Sequence, residues 1–207
     1  MISLPEQDTP EKMLFEKLKT QILSKLETEF QPCLYYHNLN HTLDVSDATL
    51  RLAKLEGVDS HYTILLATAA LLHDVGMLED YTDHEAASVK VAQRILPDLE
   101  YTKEDVEEIC NLIMATRIPQ EASTLGEMII CDADLDYLGR DDFFMIAHRL
   151  RCEWICQGRS YTLKEWYTMQ ASFLMKHHYF TRSAILLREQ TKQIHLHQIL
   201  ELLKMTD

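Results

Sequence analysis

Apolar residues recur along this chain at helical spacing. Leu14, Leu18, Ile22 and Leu26 fall every four residues, which gives a first helix one apolar stripe. Thr9-Pro10-Glu11 stands before them. A hydroxyl at the cap, proline at the first position and acid in the first turn open a helix there, and Pro32 ends it. Tyr35-Tyr36-His37-Asn38 reads as a loop, and a second helix covers roughly Asn40 to Glu56, with Gly57 just past its end in the usual stop position. A third helix, capped by Asp59 or Ser60, carries an unbroken apolar run from Ile64 to Leu72 and reaches His73-Asp74. A helix that is apolar on every side belongs at the centre of a bundle. Thr82 or Asp83 opens a fourth helix that Pro97 closes, and Thr102 opens a fifth, with Ile109, Leu112 and Ile113 inward and Arg117-Ile118-Pro119 as its break. A sixth spans about Thr124 to Leu138 before Gly139, and a seventh Asp142 to Cys156 before Gly158. An eighth runs from Thr162 through Phe173 and Leu174, and a ninth from about Arg182 to Lys204. No alternating strand pattern, repeat or linker interrupts this series. The predicted fold is all-α: a single helical-bundle domain of about nine helices over residues 1–207.

Composition sharpens this picture. Of 207 residues 46% are hydrophobic, enough for a sizeable core, and only 5 are Gly and 5 Pro, which suits long helices with short connections. The net charge of -13 argues against nucleic-acid polymers and anionic membranes as partners, since both need a basic face. A small phosphorylated substrate stays compatible, because a metal ion and a few local cations offset the wider field. The five cysteines, Cys33, Cys110, Cys131, Cys152 and Cys156, are odd in number and irregular in spacing, and Met1 to Pro10 has no basic start or apolar block. Reduced thiols and a cytoplasmic location follow as expectations. Cys152 and Cys156, one turn apart, read as small residues on a packed helix face. No apolar run approaches the length of a membrane span. Trp154, Trp166, Tyr161 and Tyr167 fall at helical spacing and read as packing.

The chemistry gathers around Leu71-Leu72-His73-Asp74-Val75-Gly76. Carboxylates are rarely buried without a partner or a metal. Neighbouring helical positions point about 100° apart, so His73 and Asp74 reach one ion only near the helix end, where Gly76 lets the backbone turn away. Upstream, His37 and His41 are four apart and share a helical face. Downstream, Asp132, Asp134 and Asp136 interrupt an apolar stretch; Asp134 points away from the other two, and Asp136 reads as solvated. Two imidazoles, His41 and His73, with two carboxylates, Asp74 and Asp134, form a donor set for manganese, iron, nickel, cobalt or zinc, and less so for magnesium.

The order Tyr36-His37-Asn38-x-x-His41, Leu72-His73-Asp74-x-Gly76 and Asp132-Ala133-Asp134-Leu135 resembles the HD-domain superfamily of metal-dependent phosphohydrolases over about residues 33 to 150. The resemblance implies His41, His73, Asp74 and Asp134 as metal ligands. It favours Asp134 over Asp132, because a large residue and then an acid and an aromatic follow it. It implies hydrolysis of a phosphate ester, possibly of a nucleotide or cyclic nucleotide, by metal-activated water, with Asp74 holding the ion and orienting that water. The Tyr-His-Asn opening also looks like that of cyclic-nucleotide phosphodiesterases. There the histidine matching His37 protonates the leaving oxygen; support of His41 is the alternative role. His84-Glu85 stands where dinuclear members place an extra histidine, but no second follows before His148. That favours one ion, with His84 and Glu85 either orienting water or capping a helix. A di-iron oxygenase and a non-catalytic metal-binding module are the rival readings. Arg117 and Arg182, beside apolar segments, are the candidate substrate cations; His195 and His197, two apart, read as surface residues.

Overall fold

The computed structural model of the protein describes residues 9–29 and 31–205. The reading of Met1 to Pro10 falls almost wholly outside the described residues. Among these residues there is no strand, and the chain folds as α1 (Pro10–Thr28), α2 (Leu39–Leu55), α3 (Ser60–Leu72), α4 (His84–Ile95), α5 (Lys103–Ala115), α6 (Leu125–Asp134), α7 (Phe143–Cys156) and α8 (Leu163–Lys176). The last helix, α9, is continuous through Arg182–Ala184, a π-helical turn Ile185–Glu189, and Gln190–Met205.

Residues Thr63 to Leu72 of α3 are all buried, and α1, α2, α5 and α6 pack around that helix. Ser60–Leu78 is long and apolar enough to cross a membrane, contrary to the expectation that no run approaches that length, but 83% of its 18-residue apolar window is buried inside the fold. Its apolarity serves the bundle core. Starts follow the capping chemistry. Thr9, Asn38, Asp59, Thr102, Thr124 and Thr162 each accept a backbone N–H in the first turn, which satisfies donors the helix leaves open.

Three local structures depart from the periodicity. First, α6 ends at Asp134, and Asp136–Gly139 winds on as a 3₁₀ turn. Second, α3 stops at Leu72, with His73 at its cap and Asp74 leading into the 3₁₀ turn Val75–Leu78. Third, Gly76 does not turn the chain by a positive φ. A Cβ there would run into the His84 carbonyl, the Ser88 amide and Ala87, so its bareness lets α4 lie against the His-Asp turn. The Gly76 N–H donates to Ser88 Oγ at 2.8 Å.

Several polar residues read as solvated are structural. Asp136 is buried and accepts from Arg51 Nη2 at 2.8 Å and from Arg188 Nε and Nη2 at 2.8 and 3.0 Å. Asp132 is buried too, and accepts from the Phe180 and Thr181 amides and the Thr181 hydroxyl at 2.7–2.8 Å. It thereby pins the start of α9. Burial outweighs these hydrogen bonds and raises its pKa to about 6. His195 is likewise buried, stacked on Phe143 with Nδ1 2.9 Å from the Leu138 carbonyl, whereas His197 is exposed.

The thiol expectation is corrected as well. Cys33 and Cys156 form a disulfide, with Cα atoms 5.7 Å apart, that ties the loop before α2 to the end of α7. A separation of 123 residues leaves no local spacing signal. Cys110, Cys131 and Cys152 are free, and Cys152 Sγ lies 3.5 Å from His148 Nε2. Closing so long a loop restricts the unfolded chain, an effect of about 2–4 kcal/mol. Cys156→Ser is therefore expected to lower the melting temperature of non-reduced protein, and a dithiol reductant should lower the wild type equally. Identical melts for all three samples would refute the cross-link.

Candidate metal centre

Three helix ends meet at the His-Asp turn. Asn38 Oδ1 caps α2 by accepting from the Asn40 and His41 amides at 2.8 and 3.3 Å, which sets His41 in the first turn. The end of α3 supplies His73 and Asp74, and the end of α6 supplies Asp134. Donor atoms of His41, His73 and Asp134 all lie within 4.8 Å of one another. The two imidazole Nε2 atoms face each other at 3.3 Å. Asp134 Oδ1 is 3.3 Å from His41 Nε2 and 3.7 Å from His73 Nε2, and Asp74 Oδ2 is 3.4 and 3.2 Å from the same atoms.

The surroundings orient these donors. His73 Nδ1 sits 2.8 Å from the Ala70 carbonyl, so that nitrogen carries the proton and Nε2 keeps its lone pair. Gln120 Nε2 donates to Asp134 Oδ2 at 3.0 Å, leaving Oδ1 for the cluster. Asp74 Oδ2 is buried and accepts no hydrogen bond. Burial works against a charged His41, yet the carboxylates of Asp134 and Asp74 raise its pKa to about 10. His73 is raised in the same sense, against burial, chiefly by Asp74. Burial would raise Asp74, but His73 and His41 hold it well below the usual carboxylate range. The arrangement demands positive charge at its centre. An orphaned carboxylate oxygen between two imidazole lone pairs, with a second carboxylate opposite, fits a divalent transition-metal ion held by His41, His73, Asp74 and Asp134.

His84 opens α4, and its Nε2 is 3.4 Å from both Asp74 Oδ1 and Glu85 Oε1. It touches the far oxygen of the shared carboxylate, and the N-cap position itself belongs to Asp83. His37 is held by a residue the sequence reading passed over. Glu153 is fully buried on α7 and accepts from the Tyr36 and His37 amides at 2.8 and 3.0 Å, the Tyr81 hydroxyl at 2.9 Å, and the His37 Nδ1–H. Burial would raise the Glu153 pKa, but the hydrogen bond and charge of His37 bring it down. The carboxylate is ionised and fixes the His37 tautomer, with Nε2 left without a hydrogen-bond partner among the described residues. A signal existed: Ile146, Leu150 and Glu153 fall at helical spacing, so an acid sits on an apolar stripe.

Asp74, Asp134, His37 and His84 border a cleft of about 460 Å³ whose other walls include Tyr81, Trp154, Phe173 and Arg159. The two arginines expected there are elsewhere. Arg117 is on the rim, ion-paired to Asp83 and 3.7 Å from Glu85, and Arg182 is exposed at the start of α9, off the cleft. Both stand beside apolar segments, but those segments carry them outward. Arg159 takes the cleft position instead, its guanidinium 4.8 Å from the centre of the Trp154 ring. Trp166 packs edge-on against Trp154 in the core.

Compared with protein families, residues 38–136 match the HD domain. The chain carries an HD domain over these residues. The matched segment of the HD domain holds His41, His73, Asp74 and Asp134, while His37 and Glu153 lie outside it. Solved structures share the HD fold over nearly the whole chain. Bacillus subtilis YpgQ, in a complex with ADP, is 19% identical with a TM-score of 0.68, over 95% of this chain and 96% of that one. YpgQ alone is 20% identical with the same TM-score, over 95% and 97%. A predicted HD superfamily hydrolase from an uncultured Thermotogales bacterium is 19% identical with a TM-score of 0.59, over 93% and 92%. No curated protein matches the sequence.

Proposed function

We propose that this protein is a metal-dependent phosphohydrolase that cleaves a small phosphate ester. The observation that carries the reading is the convergence of Asp74 Oδ2, buried without a hydrogen bond, and Asp134 Oδ1 on two facing imidazole nitrogens, at the end of a cleft large enough for a small molecule. A divalent ion bound by His41, His73, Asp74 and Asp134 would supply Lewis acidity, offsetting charge on phosphoryl oxygens and making water more acidic. The chain's own residues do the rest. His37, with Nδ1–H given to Glu153, presents Nε2 to the cleft and can hold a proton for the leaving oxygen. His84, with its Nε2–H toward Asp74 Oδ1 and Glu85 Oε1, can hold the far oxygen of the Asp74 carboxylate in place. Arg159 can meet charge on the substrate.

The YpgQ complex with ADP makes nucleotides the first esters to try. Elemental analysis of protein purified without chelator, followed by a phosphate-release screen over nucleotides, cyclic nucleotides and sugar phosphates, tests the proposal. About one transition-metal ion per chain with release from at least one ester is the expected result. Full metal loading with no turnover anywhere favours a non-catalytic module, and two irons per chain favours the oxygenase.

A further inference from the structure

Two links join the loop before α2 to the end of α7, and they join it at the same place. One is polar: Glu153 accepts from the Tyr36 and His37 amides and from the His37 ring. The other is covalent: Cys33, four residues before His37, is bonded to Cys156, three residues after Glu153. Positions three apart on a helix are neighbours on its surface, so the disulfide sits one turn beyond the carboxylate. Residues 31–38 form no helix or strand, and their place depends on such anchors. The others are the buried side chains of Leu34 and Tyr36 and a hydrogen bond from Gln31 Nε2 to the Leu78 carbonyl at 3.3 Å. Cys156 is exposed and Cys33 half-buried, which puts the bond at the surface, where a thiol from solution can meet it.

We propose, resting on the phosphohydrolase reading, that the Cys33–Cys156 disulfide is a redox switch on the His37–Glu153 pair. Oxidised, it holds the loop so that His37 stays on Glu153 and faces the cleft. Reduced, it frees the loop to open locally, because a contact held by hydrogen bonds alone opens at lower cost than one that is also tethered. A small dithiol supplies the electrons. Its thiolate attacks Cys156 Sγ and Cys33 leaves; its second thiolate then attacks the mixed disulfide and Cys156 leaves. The dithiol ends as its own disulfide, and its two protons end on Cys33 and Cys156. The metal donors His41, His73, Asp74 and Asp134 all lie outside residues 31–38, so the ion should stay while the proton donor is lost.

Hydrogen exchange read by mass spectrometry follows the switch without turnover. It is run below the melting temperature of both states, over a labelling time in which the α3 amides stay protected. Reduction is expected to speed exchange of the Tyr36 and His37 amides by about tenfold or more. On the same samples, release of phosphate from an alkyl ester should fall about fivefold or more, with bound metal unchanged. An ester whose leaving group is already a stable anion should lose about twofold or less, since it needs no proton. Cys33→Ser should match the reduced wild type with or without reductant, and re-oxidation should restore only the wild type. Unchanged exchange of the two amides, equal changes in turnover of the two esters (no change included), or a reductant effect that persists in Cys33→Ser would overturn the proposal. A wild type that releases phosphate from no ester in either state, while the amides still respond, would overturn the hydrolase reading and leave the redox control of the loop standing.

Discussion

Asp74→Asn is expected to strip the protein of bound metal and to lower phosphate release by roughly 10³-fold, the several kcal/mol that metal charge contributes to a phosphoryl transition state. Asparagine keeps the shape of the side chain and one oxygen. It removes the negative charge, and it puts either an N–H₂ or a weakly basic oxygen where Oδ2 now faces His41 and His73 at 3.4 and 3.2 Å. A buried unpartnered oxygen is the member of the set with no other task, so losing it should leave the fold of α3 intact. The melting temperature of chelated variant should therefore stay close to that of chelated wild type. Plasma mass spectrometry for metal and a phosphate-release assay on the same sample make the comparison. Wild-type turnover in a variant without metal would end the assignment of the His-Asp turn as the reactive centre.

The helices were legible because each carries its own period and its own cap, and both are local properties. The cluster was legible for a different reason: His73-Asp74 closes an apolar helix, where polar groups need a purpose, and His41 and Asp134 stand at ends that a bundle can bring to one place. Long-range polar pairing was not legible. Asp136 looked like a solvated acid because Arg51 and Arg188, which hold it, come from other helices, and the Thr181 amide that holds Asp132 was as distant. The partner of Cys33 is 123 residues away, and a rule that counts thiols cannot see that approach. Arg117 and Arg182 were chosen for their apolar neighbours, but that context does not fix which way a long flexible side chain points. Arg159 had no sequence signal of that kind, since it follows α7 and takes its place by lying over the Trp154 ring.

Glu153→Gln is expected to retain metal yet lose activity by about 10²- to 10⁴-fold, the range for a displaced general acid or base. Its carboxylate accepts from four groups at once: two amides of the loop, the Tyr81 hydroxyl and the His37 ring. Glutamine can keep the amide contacts with its oxygen, but it lacks the charge that stabilises a protonated His37. Its N–H₂ also cannot accept the Nδ1–H, which favours the other tautomer and a rotated ring. Because Glu153 touches none of His41, His73, Asp74 or Asp134, metal content should stay at the wild-type level, which separates this variant from Asp74→Asn. The leaving group provides the sharper test. A phosphate ester whose leaving group is already a stable anion needs no proton, so its kcat should fall far less than that of an alkyl ester. Equal losses on both esters would mean that Glu153 only braces the loop; a large difference would place His37 as the proton donor and Glu153 as the residue that positions it.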